Sequence, residues 1–286
     1  MKTLRECVKE AQEKKVAIGH FNISDTEGLQ AVFRAAQGLN VPVIIGVSEG
    51  ERDFIGVKQV AALVKSLREE FDYPVFINAD HTYSFEKVKE AIDAGFDSVI
   101  FDGAKLSFEE NVKITKQCVK YARNCGRDVL IEGELGFIGT SSKVLDAIPE
   151  GVLLDEKSLT DPIKAKEFVD ATGIDILAPA VGNFHGMLRG GRDPKLNQVR
   201  IKEISDTIGI PVVLHGGSGN SKEDFEEAIK NGVSIIHINT ELRVAYKEGL
   251  EHIRENEEVA PYKFMMLAVE EMEKLVESKL KLFNNL

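Results

Sequence analysis

The 286-residue sequence has no tryptophan, and it has little cysteine and proline, with three and eight residues. The cysteines, Cys7, Cys118 and Cys125, are odd in number and lack CxxC spacing. This excludes a disulfide framework and a cysteine-based metal site. No apolar run approaches the roughly 18 residues that a membrane helix needs, and the N-terminus lacks the apolar core of a signal peptide. We therefore expect a soluble, cytoplasmic protein with no membrane partner.

Basic residues are also in the minority, with 36 Lys and Arg against 47 Asp and Glu, for a net charge of −11. Such a balance argues against a general nucleic-acid-binding surface. The hydrophobic fraction of 43% is typical of a protein with a full core. The length suits one α/β barrel of about 250 residues. Because no linker or shift in composition interrupts the chain, we expect one domain over residues 1–286.

Eight short, nearly continuous apolar runs alternate with amphipathic helical patterns. Each run turns polar only at its C-terminal end, as buried parallel strands do. The runs cover residues 16–22, 42–48, 74–81, 98–103, 129–136, 175–182, 211–217 and 234–240. Eight such units predict a (β/α)8 TIM barrel. A doubly wound open sheet is the alternative, although no glycine-rich dinucleotide fingerprint follows the first strand.

Two segments are additional to the eight strand–helix units. Residues 137–160 form a long connection after the fifth strand, on the side where barrel active sites lie. Residues of about 258–285 supply an additional helix after the eighth unit. We expect the first segment to be an active-site loop and the second to be an added C-terminal helix.

Four of the six histidines, His81, His185, His215 and His237, end or closely follow predicted strands. Barrel active sites are built at this face. Three neutral imidazoles with one open position are a typical set of ligands for catalytic zinc. Small or polar neighbours make His81, His185 and His215 the best trio. They could instead be unrelated, hydrogen-bonded histidines at strand ends.

Carboxylates follow the same pattern, since Asp80, Asp102, Glu132 and Glu134 all lie at strand ends. Glu132 and Glu134 are two residues apart, so they face the same side of a strand. A buried acid pair of this kind needs a cation or a shared proton. Asp80 next to a metal-bound substrate would suit general acid/base catalysis, or it could orient a histidine.

Glycine-rich turns predict an anion site. The sequence HGGSG at 215–219 and INTE at 238–241 each lead into a helix. Their backbone amides can bind phosphate, and barrel loops after strands 7 and 8 often do so. Gly182 and Arg189, after the sixth strand, could contribute. HGGSG could also be only a tight turn.

Six motifs stand out together, in order and spacing. They are NADH at 78–81, IFDGAKLSFEEN at 100–111, EGELGFIG at 132–139, DILAPAVGNFHG at 175–186, PVVLHGGSG at 211–219 and NTELRVA at 239–245. With them the chain resembles the class II, metal-dependent ketose-bisphosphate aldolases, from residue 17 to residue 283.

The resemblance implies a (β/α)8 barrel, a homodimer or homotetramer, that reversibly cleaves a ketose 1,6-bisphosphate, with fructose 1,6-bisphosphate first. The products would be dihydroxyacetone phosphate and glyceraldehyde 3-phosphate, formed through a metal-stabilised enediolate. It implies one catalytic Zn²⁺, a possible second metal site and a monovalent cation, Na⁺ or K⁺.

The roles that it implies fall into three groups. Asp80 would move the proton of the C4 hydroxyl. The metal ligands would be His81, His185 and His215, with Asp102, Glu132 and Glu134 at an alternate or structural site. The phosphate of dihydroxyacetone phosphate would be held by Gly182, Gly216, Ser218, Asn239 and Thr240. Beside what the resemblance implies, we expect further substrate or phosphate contacts from Ser48, Arg189, Gly217, His237 and Arg243.

The sequence also departs from the pattern of this family. Residues 78–82 read NADHT where HLDHG is usual, residues 235–237 read IIH where Lys-x-Asn is usual, and Arg189 replaces a lysine. Ser142 stands at the position where the family usually has a glutamate, on a mobile loop, that handles the α-proton. Residues 260–263 read APYK in place of the Asp-Pro-Arg that binds the second phosphate in a neighbouring subunit.

These departures leave alternatives open. His237, Asp146 or Glu150 could replace the missing glutamate. The substrate could be tagatose 1,6-bisphosphate or another ketose, or the acceptor could be a different aldehyde. A metal-dependent sugar-phosphate isomerase or epimerase is a second hypothesis. A barrel that has lost its chemistry and serves in binding or assembly is a third.

Overall fold

A closed barrel of eight parallel strands forms the centre of the computed structural model, which describes residues 2–139, 142–148, 156–190, 193–253 and 257–286. The strands are β1 Ile18–Asn22, β2 Val43–Val47, β3 Val75–Thr82, β4 Ser98–Phe101, β5 Leu130–Leu135, β6 Val144–Leu145, β7 Ile176–Pro179, β8 Met187–Leu188, β9 Val212–Leu214 and β10 Val233–Ile238. All except β6 and β8 belong to the barrel, in the order β1-β2-β3-β4-β5-β7-β9-β10. Pairing of β10 with β1 closes the barrel and sets His20 beside His237. The predicted TIM barrel is confirmed.

Helices surround the barrel and follow its strands. They are α1 Leu4–Lys14, α2 Thr26–Leu39, α3 Glu49–Ile55, α4 Val57–Phe71, α5 Phe85–Ala94, α6 Phe108–Asn124, α7 Pro162–Thr172, α8 Gln198–Ile208, α9 Lys222–Lys230, α10 Thr240–Ile253, α11 Pro261–Phe264 and α12 Met266–Asn284. Local signals set their ends. The Ser84 hydroxyl accepts a hydrogen bond from the Lys87 amide at the start of α5, and Gly95 ends that helix at φ 106°.

The amino-terminal end of the barrel is closed by α1. Leu4, Cys7 and Val8 are buried there against strand residues that include Phe76. The Arg5 guanidinium ties α1 to the barrel through Asp175, with 2.7 Å between Nη1 and Oδ1. The opposite end, where the strands terminate at their carboxyl side, carries the cavity described below.

The added C-terminal helix is present as α12. It packs against α2, α10 and β1, and its Leu280 and Phe283 side chains are fully buried. The Ala17 amide, just before β1, donates to the Phe283 carbonyl across 3.0 Å. The helix therefore forms part of the outer layer of its own barrel.

The long connection after β5 lies over the carboxyl end of the barrel. Its strand β6 pairs in parallel with β8, in the segment after β7. Residues 140–141 and 149–155, which include Glu150, lie outside the described residues. Across the described ranges, the helices are too short or too polar for any of them to cross a bilayer.

Candidate active site

A cavity of about 280 Å³ opens at the carboxyl ends of the strands. Eleven predicted site residues line it, namely Ser48, Asp80, His81, His185, His215, Gly216, Ser218, His237, Asn239, Thr240 and Arg243. Asp102, Glu132 and Glu134 lie behind the histidines, as their contacts below show. Gly182, Gly217 and Arg189 are not among the lining residues. The other lining residues, Asn22, Glu49, Gly50, Tyr83, Ser142 and Gly186, are not among the predicted site residues.

Three imidazoles converge in this cavity, from the end of β3, the loop after β7 and the loop after β9. One ring nitrogen from each of His81, His185 and His215 lies within 4.8 Å of the others. His81 Nε2 and His215 Nδ1 are 3.2 Å apart, close to the roughly 3.3 Å between two nitrogens on a tetrahedral zinc. His185 Nε2 is buried and lacks a hydrogen-bond partner among the described residues. These donors fit a divalent metal of the zinc type.

Carboxylates orient two of these rings from behind. His81 Nδ1 lies 3.1 Å from Asp102 Oδ2 and 3.6 Å from Glu134 Oε2. His215 Nε2 lies 2.7 Å from Glu132 Oε1. A carboxylate on the second ring nitrogen fixes the tautomer and direction of a metal-binding histidine. His81, Asp102 and Glu134 also form a second group with ligand atoms within 4.8 Å, where a metal could bind.

An unusual backbone turns both Asp80 and His81 toward the cavity. In a regular strand these neighbours would face opposite sides. His81 has φ 37°, in the left-handed region, and the β3–β4 register shifts between Ala79 and Thr82. The buried Arg52 guanidinium holds this turn, donating to the Asp80 carbonyl at 3.1 Å and to the Thr82 hydroxyl at 3.0 Å.

The Asp80 carboxylate is buried among polar groups. Asn22 Nδ2 donates to its Oδ2 across 2.9 Å, and His237 Nδ1 lies 3.4 Å from its Oδ1. Burial acts to raise the pKa of Asp80, but His81, His237 and His20 outweigh it. The pKa therefore lies well below its usual range, and the group is an ionised base at neutral pH.

The three candidate metal-ligating histidines differ in their pKa values. Burial lowers the pKa of His81, but Asp80, Asp102 and Glu134 raise it to about 10. Burial and the proximity of His81 lower the pKa of His215 to about 3 and that of His185 well below its usual value. Burial also raises the pKa of Glu132 to about 7. A cation bound nearby can stabilise such a buried carboxylate in place of the proton.

The predicted phosphate loops meet at one end of the cavity. Gly216 needs to be glycine, because it has φ 60° and a Cβ would lie 2.2 Å from the Phe184 carbonyl oxygen. Ser218 lines the cavity beside Asn239 and Thr240, and Thr240 begins α10. Helix N-termini and backbone amides of this kind favour anions.

Two glycine amides in these loops already have protein partners. Gly217 N donates to the His237 carbonyl at 3.1 Å, and Gly219 N donates to Glu241 Oε1 at 2.7 Å. Lys279 of α12 lies 2.6 Å from the other oxygen of Glu241. These bonds fix the loop in place and leave Ser218 facing the cavity.

Arg243 is the one residue with a guanidinium or ammonium group among the cavity-lining residues of the described ranges. Its Nη2 donates to Glu51 Oε1 at 2.6 Å. Arg189 lies elsewhere, with a 70% exposed side chain bonded to Asp146 across 2.8 Å. Lys263 pairs with Glu258 outside the cavity.

The sequence does not predict several residues that line the cavity or hold its lining in place. Asn22 ends β1 and could have been found by the same strand-end rule that selected Asp80. Glu51 sits in a Ser-x-x-Glu capping box, a pattern that indicates only a helix start, yet it binds Asn22 and Arg243. His20 is fully buried inside the barrel and stacks on His237.

Known proteins resemble this chain in sequence and in fold. A family model for class-II fructose-bisphosphate aldolase matches residues 2–286. A fructose-bisphosphate aldolase of Geobacillus stearothermophilus is 43% identical over 254 residues, covering 88% of this chain and 85% of that protein. One from Staphylococcus aureus strain N315 is 38% identical over 286 residues, covering 98% and 96%.

Solved structures share the fold. The YdjI aldolase of Escherichia coli K12 superposes with a TM-score of 0.83 at 30% identity, covering 99% of this chain and 97% of that one. Fructose-bisphosphate aldolase from Campylobacter jejuni gives a TM-score of 0.79 at 22% identity, covering 98% and 94%, and supports the fold alone. This chain therefore belongs to the class II fructose-bisphosphate aldolase family.

Proposed function

We propose that this chain is a zinc-dependent aldolase that reversibly cleaves fructose 1,6-bisphosphate to dihydroxyacetone phosphate and glyceraldehyde 3-phosphate. The observation that carries the proposal is the convergence of three imidazoles beside an ionised Asp80 at the base of one cavity. The relatives named above as fructose-bisphosphate aldolases support the choice of ketose.

His81, His185 and His215 would hold the catalytic zinc, and Asp102 with Glu134 would offer the alternate site. When bound, zinc supplies a Lewis acid that polarises the carbonyl of the substrate and makes the adjacent carbon acidic. The protein contributes the direction of the ligands. Asp102 and Glu132 lie within hydrogen-bond distance of the outer nitrogens of His81 and His215.

Asp80 would act as the base in cleavage. It accepts the proton of the C4 hydroxyl while the C3–C4 bond breaks, and the bonding electron pair stays on C3. A proton from solvent then adds to C3 and completes dihydroxyacetone phosphate, and Asp80 loses the proton it took to solvent. In the reverse direction Asp80 returns its proton to the new C4 oxygen. Its low pKa suits the ionised form that cleavage requires.

The two phosphates would bind at separate places. Gly216, Ser218, Asn239 and Thr240 would hold the phosphate on C1, with a Na⁺ or K⁺ ion near Gly182 and Gly216. Arg243 would meet the phosphate on C6, because it is the cation that the described chain places in the cavity. Ser48 lines the cavity near Arg243, since its amide and the Arg243 guanidinium both donate to Glu51.

We also infer a cytoplasmic homodimer or homotetramer. Three unpaired cysteines suit a reducing compartment. Exposed apolar side chains, such as Phe54 at 79% and Tyr262 at 77%, are available for contacts between subunits. Light scattering of the purified protein measures the subunit number.

A product assay tests the proposed reaction. Purified protein with zinc is incubated with fructose 1,6-bisphosphate or tagatose 1,6-bisphosphate, and triose phosphates are measured through a coupled dehydrogenase. The proposal expects triose phosphate from both halves of the ketose, with fructose preferred. A rearranged sugar phosphate with no triose phosphate would identify an isomerase or epimerase. Absence of turnover on any phosphorylated sugar would favour a binding role.

A further inference from the structure

A pair of stacked histidines lies directly beneath Asp80. The rings of His20 and His237 are parallel within 3°, with centroids 3.4 Å apart, and the His215 ring lies 3.9 Å from His237 on the other side. Both residues point into the barrel because they are paired neighbours on β1 and β10. Gly46 of β2 makes room for the stack, since a Cβ there would lie 2.0 Å from His20 Cε1.

Unpartnered buried atoms surround this stack. Within the described residues, His237 Nδ1, Asp80 Oδ1 and His20 Nδ1 have no satisfied hydrogen bond. His237 Nδ1 and Asp80 Oδ1 are 3.4 Å apart, close to hydrogen-bond distance. Buried polar groups of this kind ordinarily find partners, and catalytic hydrogen bonds often tighten only when substrate binds.

A metal held by His20, Asp80 and His237 does not fit this geometry, although their ligand atoms lie within 4.8 Å. The lone pair of an imidazole nitrogen lies in the plane of its ring. Two rings stacked face to face have separate, parallel planes, so their lone pairs cannot meet at one ion. A hydrogen bond from one ring to Asp80 is the arrangement that the atoms allow.

We propose that His237 is a positioning residue for Asp80, which rests on the aldolase function proposed above. His237 Nδ1–H donates to Asp80 Oδ1, and Asn22 Nδ2 donates to Oδ2 at 2.9 Å. The two donors fix the carboxylate from both sides. His20 holds the His237 ring by stacking and is itself tied to Asn78 Oδ1 through Nε2 at 3.2 Å.

Two reactions distinguish this proposal from one in which His237 acts directly on the α-proton of dihydroxyacetone phosphate. Cleavage needs Asp80 to take the C4 hydroxyl proton. Exchange of the α-proton of dihydroxyacetone phosphate with solvent needs the metal and the first phosphate site, but it involves no C4 hydroxyl. A residue that acts through Asp80 therefore affects cleavage and leaves exchange intact.

Three variants at one position test which nitrogen matters. His237→Phe keeps the stacked ring and removes both nitrogens. The Nδ2 of asparagine takes nearly the place of His Nδ1, whereas the longer glutamine amide reaches nearly to the place of Nε2. We expect His237→Phe and His237→Gln to lower the kcat of cleavage about 10- to 100-fold. His237→Asn should restore much of it, and proton exchange should persist in all three.

The controls keep the outcomes distinct. Circular dichroism and thermal melts confirm that each variant folds, and His252→Gln, on an exposed residue of α10, should match the unmodified protein in both assays. In an Asp80→Ala background, His237→Phe should lower cleavage no further. Parallel loss of exchange, rescue by Gln but not Asn, or unchanged cleavage in all variants would each overturn the positioning role. If the unmodified protein neither cleaves nor exchanges, the proposed function fails instead.

Discussion

At the scale of single residues, the proposed mechanism depends on how Asp80 is held. The side chain sits 3% exposed at the end of β3, with Asn22 on one oxygen and His237 near the other. Its neighbours keep it ionised despite burial. A carboxylate that is both fixed and ionised can receive a proton without rearrangement of solvent.

Replacement of Asp80 by asparagine tests this role. The amide keeps the size of the side chain but cannot accept the C4 hydroxyl proton as a base. We expect Asp80→Asn to reduce cleavage kcat by about 10²- to 10⁴-fold while α-proton exchange and zinc content persist. Isotope exchange and elemental analysis measure the last two. Full cleavage activity in this variant would remove Asp80 from the mechanism.

The proposed role of Arg243 is to bind the second phosphate of the substrate. We expect Arg243→Gln to raise KM for fructose 1,6-bisphosphate about tenfold or more, because a charge-assisted hydrogen bond to phosphate is lost. Fructose 1-phosphate has no second phosphate, so its KM should stay the same. Arg189→Gln is the matched control, since Arg189 is exposed and outside the cavity. An equal change in KM for both sugars would place Arg243 elsewhere in the mechanism.

At the scale of elements, one side chain of α3 joins the ends of β2 and β3. Arg52 of α3 reaches back to the Val47 and Asp80 carbonyls and to the Thr82 hydroxyl. It therefore braces the left-handed turn at His81, whose φ of 37° carries a strain of about 1–3 kcal/mol.

Loss of this brace should affect stability and metal binding together. Arg52→Met leaves buried carbonyls without a donor, so we expect the free energy of unfolding to fall by about 1–3 kcal/mol or more. Urea denaturation measures this, and a competing chelator should report weaker zinc affinity because His81 shifts. Arg52→Lys should recover only part, since one ammonium lacks the planar fork. Unchanged stability and zinc affinity in Arg52→Met would refute the bracing role.

The helices and strands also show which parts of the fold and the site can be predicted from the sequence. Continuous apolar runs with polar ends predict all eight barrel strands, because strands covered on both faces must be apolar along their length. The two-residue strands β6 and β8 carry no such signal. The sequence does not predict the roles of Glu51 and Arg52 either, because their partners lie on other elements and are brought to them only by tertiary packing. Asp80, His81, His185 and His215 are found because the barrel brings strand ends together.

At the scale of the whole molecule, the interior of the barrel contains several buried imidazoles with lowered pKa values. Burial lowers the pKa of His20 to about 3 and that of His237 to about 4. The ordinary value is about 6.5. The folded chain therefore keeps these rings uncharged at a pH where the unfolded chain protonates them.

This difference predicts acid sensitivity of the metal-free protein. Between about pH 6.5 and pH 4 the unfolded state binds more protons at His20 and His237, so stability falls as pH falls, by about 1.4 kcal/mol per unit for each. His215 and His185, whose pKa values are also lowered, act in the same direction. Glu132, with its pKa raised to about 7, and Glu134, with its pKa raised well above its usual range, each offset one proton.

Urea midpoints across this range measure the slope. His20→Phe should flatten it and the exposed His252→Gln should not. A midpoint that is constant or rises toward acid would contradict the account.

Metal dependence is the central claim, and removal of the metal tests it most directly. The protein is dialysed against a chelator, its zinc content is measured by elemental analysis, and cleavage of fructose 1,6-bisphosphate is followed before and after zinc is returned. We predict that cleavage disappears with the metal and returns as zinc is added up to stoichiometric occupancy of the site formed by His81, His185 and His215. Full cleavage by protein verified to be free of metal would contradict this account.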